Sequence, residues 1–247
     1  MFVAFAVLFY RNLRYRRYLV GYKRGKYNFT DILSLNKMGW MVGLQMGLET
    51  ALFSITGIMI GWLGSIALAA HQVMVAISTL GFMIYYGVGA AVSVRVSNYF
   101  GRQELLHVRR TTMAGFHLIL CLAVCACTVF LFSRELIGYL FTTSEEVIRV
   151  VSTLVYILLA YQFGDALQIT YANSLRGIGD VISMAVISFI GYFLIAMPVC
   201  YICGFVLEWD ITGIWIGYPI GLTLTGVMLC GRYYWKLKTK TQSKEFY

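Results

Sequence analysis

The chain has 247 residues, of which 60% are hydrophobic and 13% charged, with a formal net charge of +9. Soluble domains carry about 25% charged residues, and a chain of this length could not hide so much apolar surface inside a water-soluble core. Composition therefore excludes an ordinary soluble domain and points to a membrane-embedded one. The six cysteines lie in apolar runs without flanking His or turn residues, which predicts small buried hydrophobes rather than zinc or redox sites.

In chain order, residues 1–10 are apolar but reach only about 15 Å as a helix, roughly half a hydrocarbon core. They read as the truncated end of a preceding transmembrane helix. Residues 11–34 read as a basic cytoplasmic linker. Residues 35–235 read as a six-helix transmembrane lobe, and 236–247 as a basic cytoplasmic tail. Stretches lacking charge define the spans. Residues 50–94 contain no Asp, Glu, Lys or Arg, enough for two spans of about 20 residues with a turn near Trp62–Ser65. The spans are predicted near 36–61, 67–94, 111–132, 150–173, 182–205 and 212–232.

Charge placement supports an even number of crossings. Eighteen of the 20 Lys and Arg residues fall on one face, and only Arg134 and Arg149 on the other. The positive-inside rule then places both ends of the bundle in the cytoplasm. The same asymmetry assigns the net charge to topology and anionic lipid rather than to nucleic acid.

Gly39, Gly43 and Gly47 recur every fourth residue on the first span, as do Gly213, Gly217 and Gly221 on the last. Such spacing lets helix backbones approach closely. Pro198 and Pro219 lie inside apolar spans and can kink them.

Of eleven acidic residues, only Glu49 and Asp165 fall deep within a span. Gln45 lies one turn before Glu49. Tyr161 lies one turn before Asp165 and Gln168 about one turn after, with Tyr171 and Asn173 further along. Residues three and four apart share a helix face. Each acid thus sits on a polar stripe aimed at the bundle interior, with no intramembrane Lys or Arg as counter-ion. Two such carboxyls call for a proton or a metal cation, the chemistry of a cation relay. A simpler alternative is a protonated acid hydrogen-bonded for packing. Gly177-Ile-Gly-Asp180 matches the signature of intramembrane aspartyl proteases, but the second Asp of that pair should follow Tyr, and Asp165 follows Gly164. A turn followed by a helix start is the better reading, and no enzymatic activity is expected. His71, His107 and His117 show no ligand spacing, and no metal is expected beyond a possible sodium ion at Glu49 and Asp165.

With these residues in hand, the chain resembles the multidrug and toxic compound extrusion (MATE) family in its NorM-like bacterial branch. The stretches that carry the resemblance are Gly47-Leu-Glu49-Thr-Ala-Leu-Phe53, Ala69-Ala-His71-Gln72, Ser93-Val-Arg95-Val, Tyr161-Gln-Phe-Gly-Asp165 and Leu175-Arg-Gly-Ile-Gly-Asp180. The resemblance covers about 35–235 and implies an all-α fold, the C-terminal six-helix lobe of a twelve-helix transporter. It implies that Glu49 and Asp165 bind the coupling cation; Gln45, Tyr161 and Gln168, on the polar stripes beside them, are the candidate cavity-lining residues. It further implies antiport of organic cations against sodium or protons across the bacterial inner membrane, no organic cofactor, and an N-terminal lobe as partner. A flippase of lipid-linked sugars or polysaccharide from the same superfamily, or a non-transporting scaffold subunit, are the alternatives.

Overall fold

The structure, a computed structural model, describes Phe9, Arg11 and residues 28–245, with side chains through Lys240. The expectations for residues 1–10 and for most of the linker before Asn28 lie outside the described residues. The chain forms two compact units, residues 1–39 and 40–247. The described part of the first is almost entirely helical and exposed throughout.

The described residues form α1 (Phe29–Gly61), α2 (Ser65–Gly101), α3 (Leu105–Phe132), the short α4 (Arg134–Phe141), α5 (Glu145–Gly177), a composite α6 (Val181–Val206) and α7 (Asp210–Glu245). Six of these are long and apolar enough to cross a membrane. Each predicted span lies inside one of them, and the first turn falls at Trp62–Gly64 as expected.

Three local features depart from the sequence reading. First, α1 starts at Phe29, inside the segment read as linker, where the Asn28 side chain accepts a hydrogen bond from the Thr30 backbone N–H (3.2 Å). That is a helix-starting interaction. Second, α7 runs on through the expected tail to Glu245, since 232–245 holds no Gly or Pro to stop it. Third, α4 is an added element. It buries Ile137 and Gly138, the latter close against Ile148 of α5, and exposes Leu136, Tyr139 and Leu140, the pattern of a helix lying in a membrane interface.

Helix α5 is the axis of the second unit and packs against α2, α3 and α7. Its buried residues fall on every side, not on one stripe. The Thr112 and Tyr233 hydroxyls hydrogen-bond at 2.8 Å, and Ser174 donates to Thr112 at 3.1 Å, tying α5, α3 and α7 together. α1 is held largely through side chains. Thr56 hydrogen-bonds Tyr218, and Phe53 stacks on the Tyr218 ring at 4.8 Å.

The last two helices meet through glycine. A Cβ at Gly213 would collide with the Cys203 backbone, one at Gly217 with Cys200, and one at Gly221 with Ala196. The expected close approach on this stripe is therefore realised against α6. The stripe on α1 differs: a Cβ at Gly39, Gly43 or Gly47 would meet nothing within 4 Å. α6 itself contains π-helical turns at Ile190–Ala196 and Ile202–Val206 on either side of Pro198. Proline removes a backbone donor and crowds the preceding turn, and wider turns accommodate it. The cysteines divide more than expected. Cys200 is buried in the α6–α7 contact, while Cys121 and Cys125 are exposed on α3, because that helix turns much of its apolar surface outward.

Candidate functional site

Both sequence-selected acids lie in the second unit, on α1 and α5. Glu49 is half-buried and accepts a hydrogen bond from Gln45 Nε2 at 3.2 Å, the one-turn spacing bringing the two side chains together. It lines a cavity of about 250 Å³ shared with Thr50, Ser78, Thr79, Phe82 and Tyr161. A second, narrow cleft of about 20 Å³ also reaches Glu49, and Gln45, Gln168, Asn173, Tyr86 and Arg176 form its walls. That volume suits about one water-sized occupant. The structure therefore places Glu49 at both hollows, with Tyr161 lining the first and Gln45 and Gln168 the second.

Asp165 lies deeper, at 0% exposure, one turn from Tyr161 on α5. Neither of its carboxylate oxygens has a hydrogen-bond partner among the described residues. An ionised carboxylate in such a setting needs a cation or ordered water against it. Gln168 donates from Nε2 to the Tyr192 hydroxyl at 2.7 Å, and its own Oε1 has no partner among the described residues. That bond links α5 to the first π turn of α6.

The sequence reading missed Gln162 and Arg176. Gln162 is fully buried, with neither amide atom partnered among the described residues, against the bare backbone of Gly81. It stands one residue off the Tyr161–Asp165 spacing, so a search for one polar face passes over it. Arg176 falls beyond the predicted span 150–173, in a loop by the sequence reading, which expects no basic counter-ion near the acids. It instead ends α5 with its guanidinium in the cleft, donating to Gln45 Oε1 (3.4 Å), Asn173 Oδ1 (3.3 Å) and the Tyr86 hydroxyl (3.4 Å). Arginine's length carries its charge back past the helix end. Tyr171, expected on the polar stripe, packs instead among Phe116, Tyr233 and Tyr234.

Asp180 lies apart from this site. It sits at the start of α6 after Gly179, whose φ of 76° suits glycine. Its carboxylate accepts from Arg232 Nε at 2.8 Å and from Ser183 Oγ at 2.9 Å, with Lys236 Nζ at 3.9 Å. Burial opposes its ionisation, but the hydrogen bonds from Arg232 and Ser183 and the nearby charges win, holding the carboxyl below its usual range. It is a structural tie between the α5–α6 turn and α7. Of the histidines, His71 is buried edge-on against Trp215 (5.8 Å), His107 stacks on Tyr99 (5.2 Å), and His117 contacts the Met113 carbonyl (2.7 Å). Among the described residues no three His, Cys, Asp or Glu side chains gather as a metal site.

The MatE family profile matches residues 42–202, a stretch that includes both acids. The chain belongs to the MatE family. Among curated MatE proteins, "Multidrug resistance protein NorM" of Photobacterium profundum is 34% identical over 220 residues, covering 87% of this chain and 47% of that protein. The NorM of Vibrio cholerae is 32% identical over 214 residues, covering 84% and 47%. The chain thus spans about half the length of the curated relatives it matches. Two crystal structures share the fold. A eukaryotic MATE transporter has a TM-score of 0.78 at 20% identity, covering 88% of this chain and 51% of that one. The Vibrio cholerae MATE transporter VcmN in its bent form has a TM-score of 0.79 at 15% identity, covering 87% and 49%. The six-helix bundle is accordingly one lobe of the MATE architecture.

Proposed function

We propose that this chain forms the C-terminal lobe of a multidrug efflux antiporter in the bacterial inner membrane, with both termini cytoplasmic. It exports drug-like organic cations in exchange for sodium ions or protons held at Glu49 and Asp165. The observation that carries this reading is Asp165, whose two buried oxygens have no hydrogen-bond partner among the described residues, one helical turn from the cavity that Glu49 and Tyr161 line. Gln45 orients Glu49, and Gln168 reaches Tyr192 across the α5–α6 contact. A cation loading between the two acids neutralises the cavity wall and weakens its hold on a cationic drug. When the cation leaves inward, the negative wall is restored and a drug rebinds. No bond of the substrate is made or broken in this scheme.

The test is dye efflux from inverted vesicles carrying the full-length transporter that contains this lobe. Glu49→Gln and Asp165→Asn should each abolish cation-coupled efflux while the protein still inserts at wild-type levels. Efflux at the wild-type rate in both variants refutes the cation site.

A further inference from the structure

At the basic end of the bundle, a cleft of about 580 Å³ opens between the start of α3 and the last turns of α7. Its size falls in the range of small-molecule sites. Leu105, Leu106 and Leu237 form its apolar part, and Arg109 and Lys238 supply the charge. Tyr234 lies between, with the Arg109 guanidinium 5.6 Å from its ring centre. Leu106 is 59% exposed, so the apolar wall opens outward. The acidic residue of the adjoining turn, Glu104, lies against His107 at 3.5 Å, and among the described residues no carboxylate pairs with Arg109 or Lys238.

We propose that this cleft is a binding site for one acidic phospholipid, taking the phosphate between Arg109 and Lys238 and the upper acyl chain along the three leucines. The cleft is formed by residues just beyond the sequence-predicted spans 111–132 and 212–232, where headgroups are expected, so a leucine wall beside two cations matches a molecule that is anionic at one end and apolar at the other. Two cations likewise favour an anionic occupant over a zwitterionic or cationic one. The site requires only that the lobe sits in a bilayer and is independent of what the transporter exports.

Native mass spectrometry of the purified 247-residue chain in detergent, titrated with phosphatidylglycerol or phosphatidylcholine, tests the proposal. Wild-type chain should retain one phosphatidylglycerol in preference to phosphatidylcholine. The Arg109→Ala/Lys238→Ala pair should bind it roughly tenfold more weakly, or worse. Arg109→Lys/Lys238→Arg, which keeps both charges, should bind within a few-fold of wild type. Inorganic phosphate at millimolar level should leave the bound lipid in place, because it cannot occupy the leucine wall. Equal retention of the two lipids by the wild-type chain overturns the site. So does unchanged phosphatidylglycerol retention in the alanine pair, or displacement by phosphate alone.

Discussion

Arg176 Nη2 lies 3.4 Å from Gln45 Oε1, so the end of α5 touches the same glutamine that hydrogen-bonds Glu49. A fixed positive charge thus stands in the cleft that reaches Glu49, one of the two proposed cation ligands, and its Coulombic effect opposes a cation bound there. Replacing Arg176 with Gln should lower the sodium or proton concentration giving half-maximal efflux, by roughly fivefold for about 1 kcal/mol of relieved repulsion. Efflux titrations of the full-length transporter measure this. A rise in the required concentration would show that Arg176 instead positions Gln45 and Glu49.

The two glycine stripes should respond oppositely to a single methyl group. Gly213→Ala drives a Cβ into the Cys203 backbone and should lower stability by about 1–3 kcal/mol, as overpacking does. Gly43→Ala meets open space and removes helix-destabilising backbone freedom, so it should raise the stability of this chain by roughly 0.5–1 kcal/mol. Thermal unfolding of the purified chain in detergent compares the two.

The Asp180 tie gives a pH-dependent difference with a defined sign. Its carboxyl is held low in the folded state, so its stabilisation is present above the unfolded carboxylate range and lost as pH falls through the folded value. Asp180→Asn should cost about 1.5–3 kcal/mol at neutral pH, as expected for a charge-assisted hydrogen bond. The gap from wild type should close only under strongly acidic conditions, below about pH 4. A gap that widened on acidification would contradict the assignment.

Topology can be read by labelling single cysteines introduced on a cysteine-free background. Residues 65 and 208 should react with an impermeant reagent from outside, and residue 103 only after the membrane is opened. The turns holding Gln103 and Glu208 are well suited because both residues are exposed. Outside labelling at residue 103 would reverse the proposed orientation.

Much of the fold was legible because hydrophobic length and charge placement act over whole spans. The predicted boundaries near 67–94 and 182–205 fall within α2 and α6. The π turns around Pro198 were not legible, since a proline announces a disturbance but not how the helix absorbs it. Glu49 and Asp165 stood out because a carboxyl in an apolar run is costly wherever it points. Gln162 did not, because helix spacing identifies one face and α5 is enclosed on all sides. Arg176 was misplaced for a related reason: sequence position fixes where its Cα lies, while its guanidinium reaches most of a helical turn back toward Gln45.

The edge-on contact between Trp215 and His71 leaves a natural optical reporter in the lobe. Of the five tryptophans, Trp215 is fully enclosed, whereas Trp40, Trp62, Trp209 and Trp235 are exposed. Lipids with brominated acyl chains should therefore dim most of the emission in a bilayer and spare a residual signal from Trp215. That signal would report the opening of the contact among α1, α2 and α7 without any attached dye.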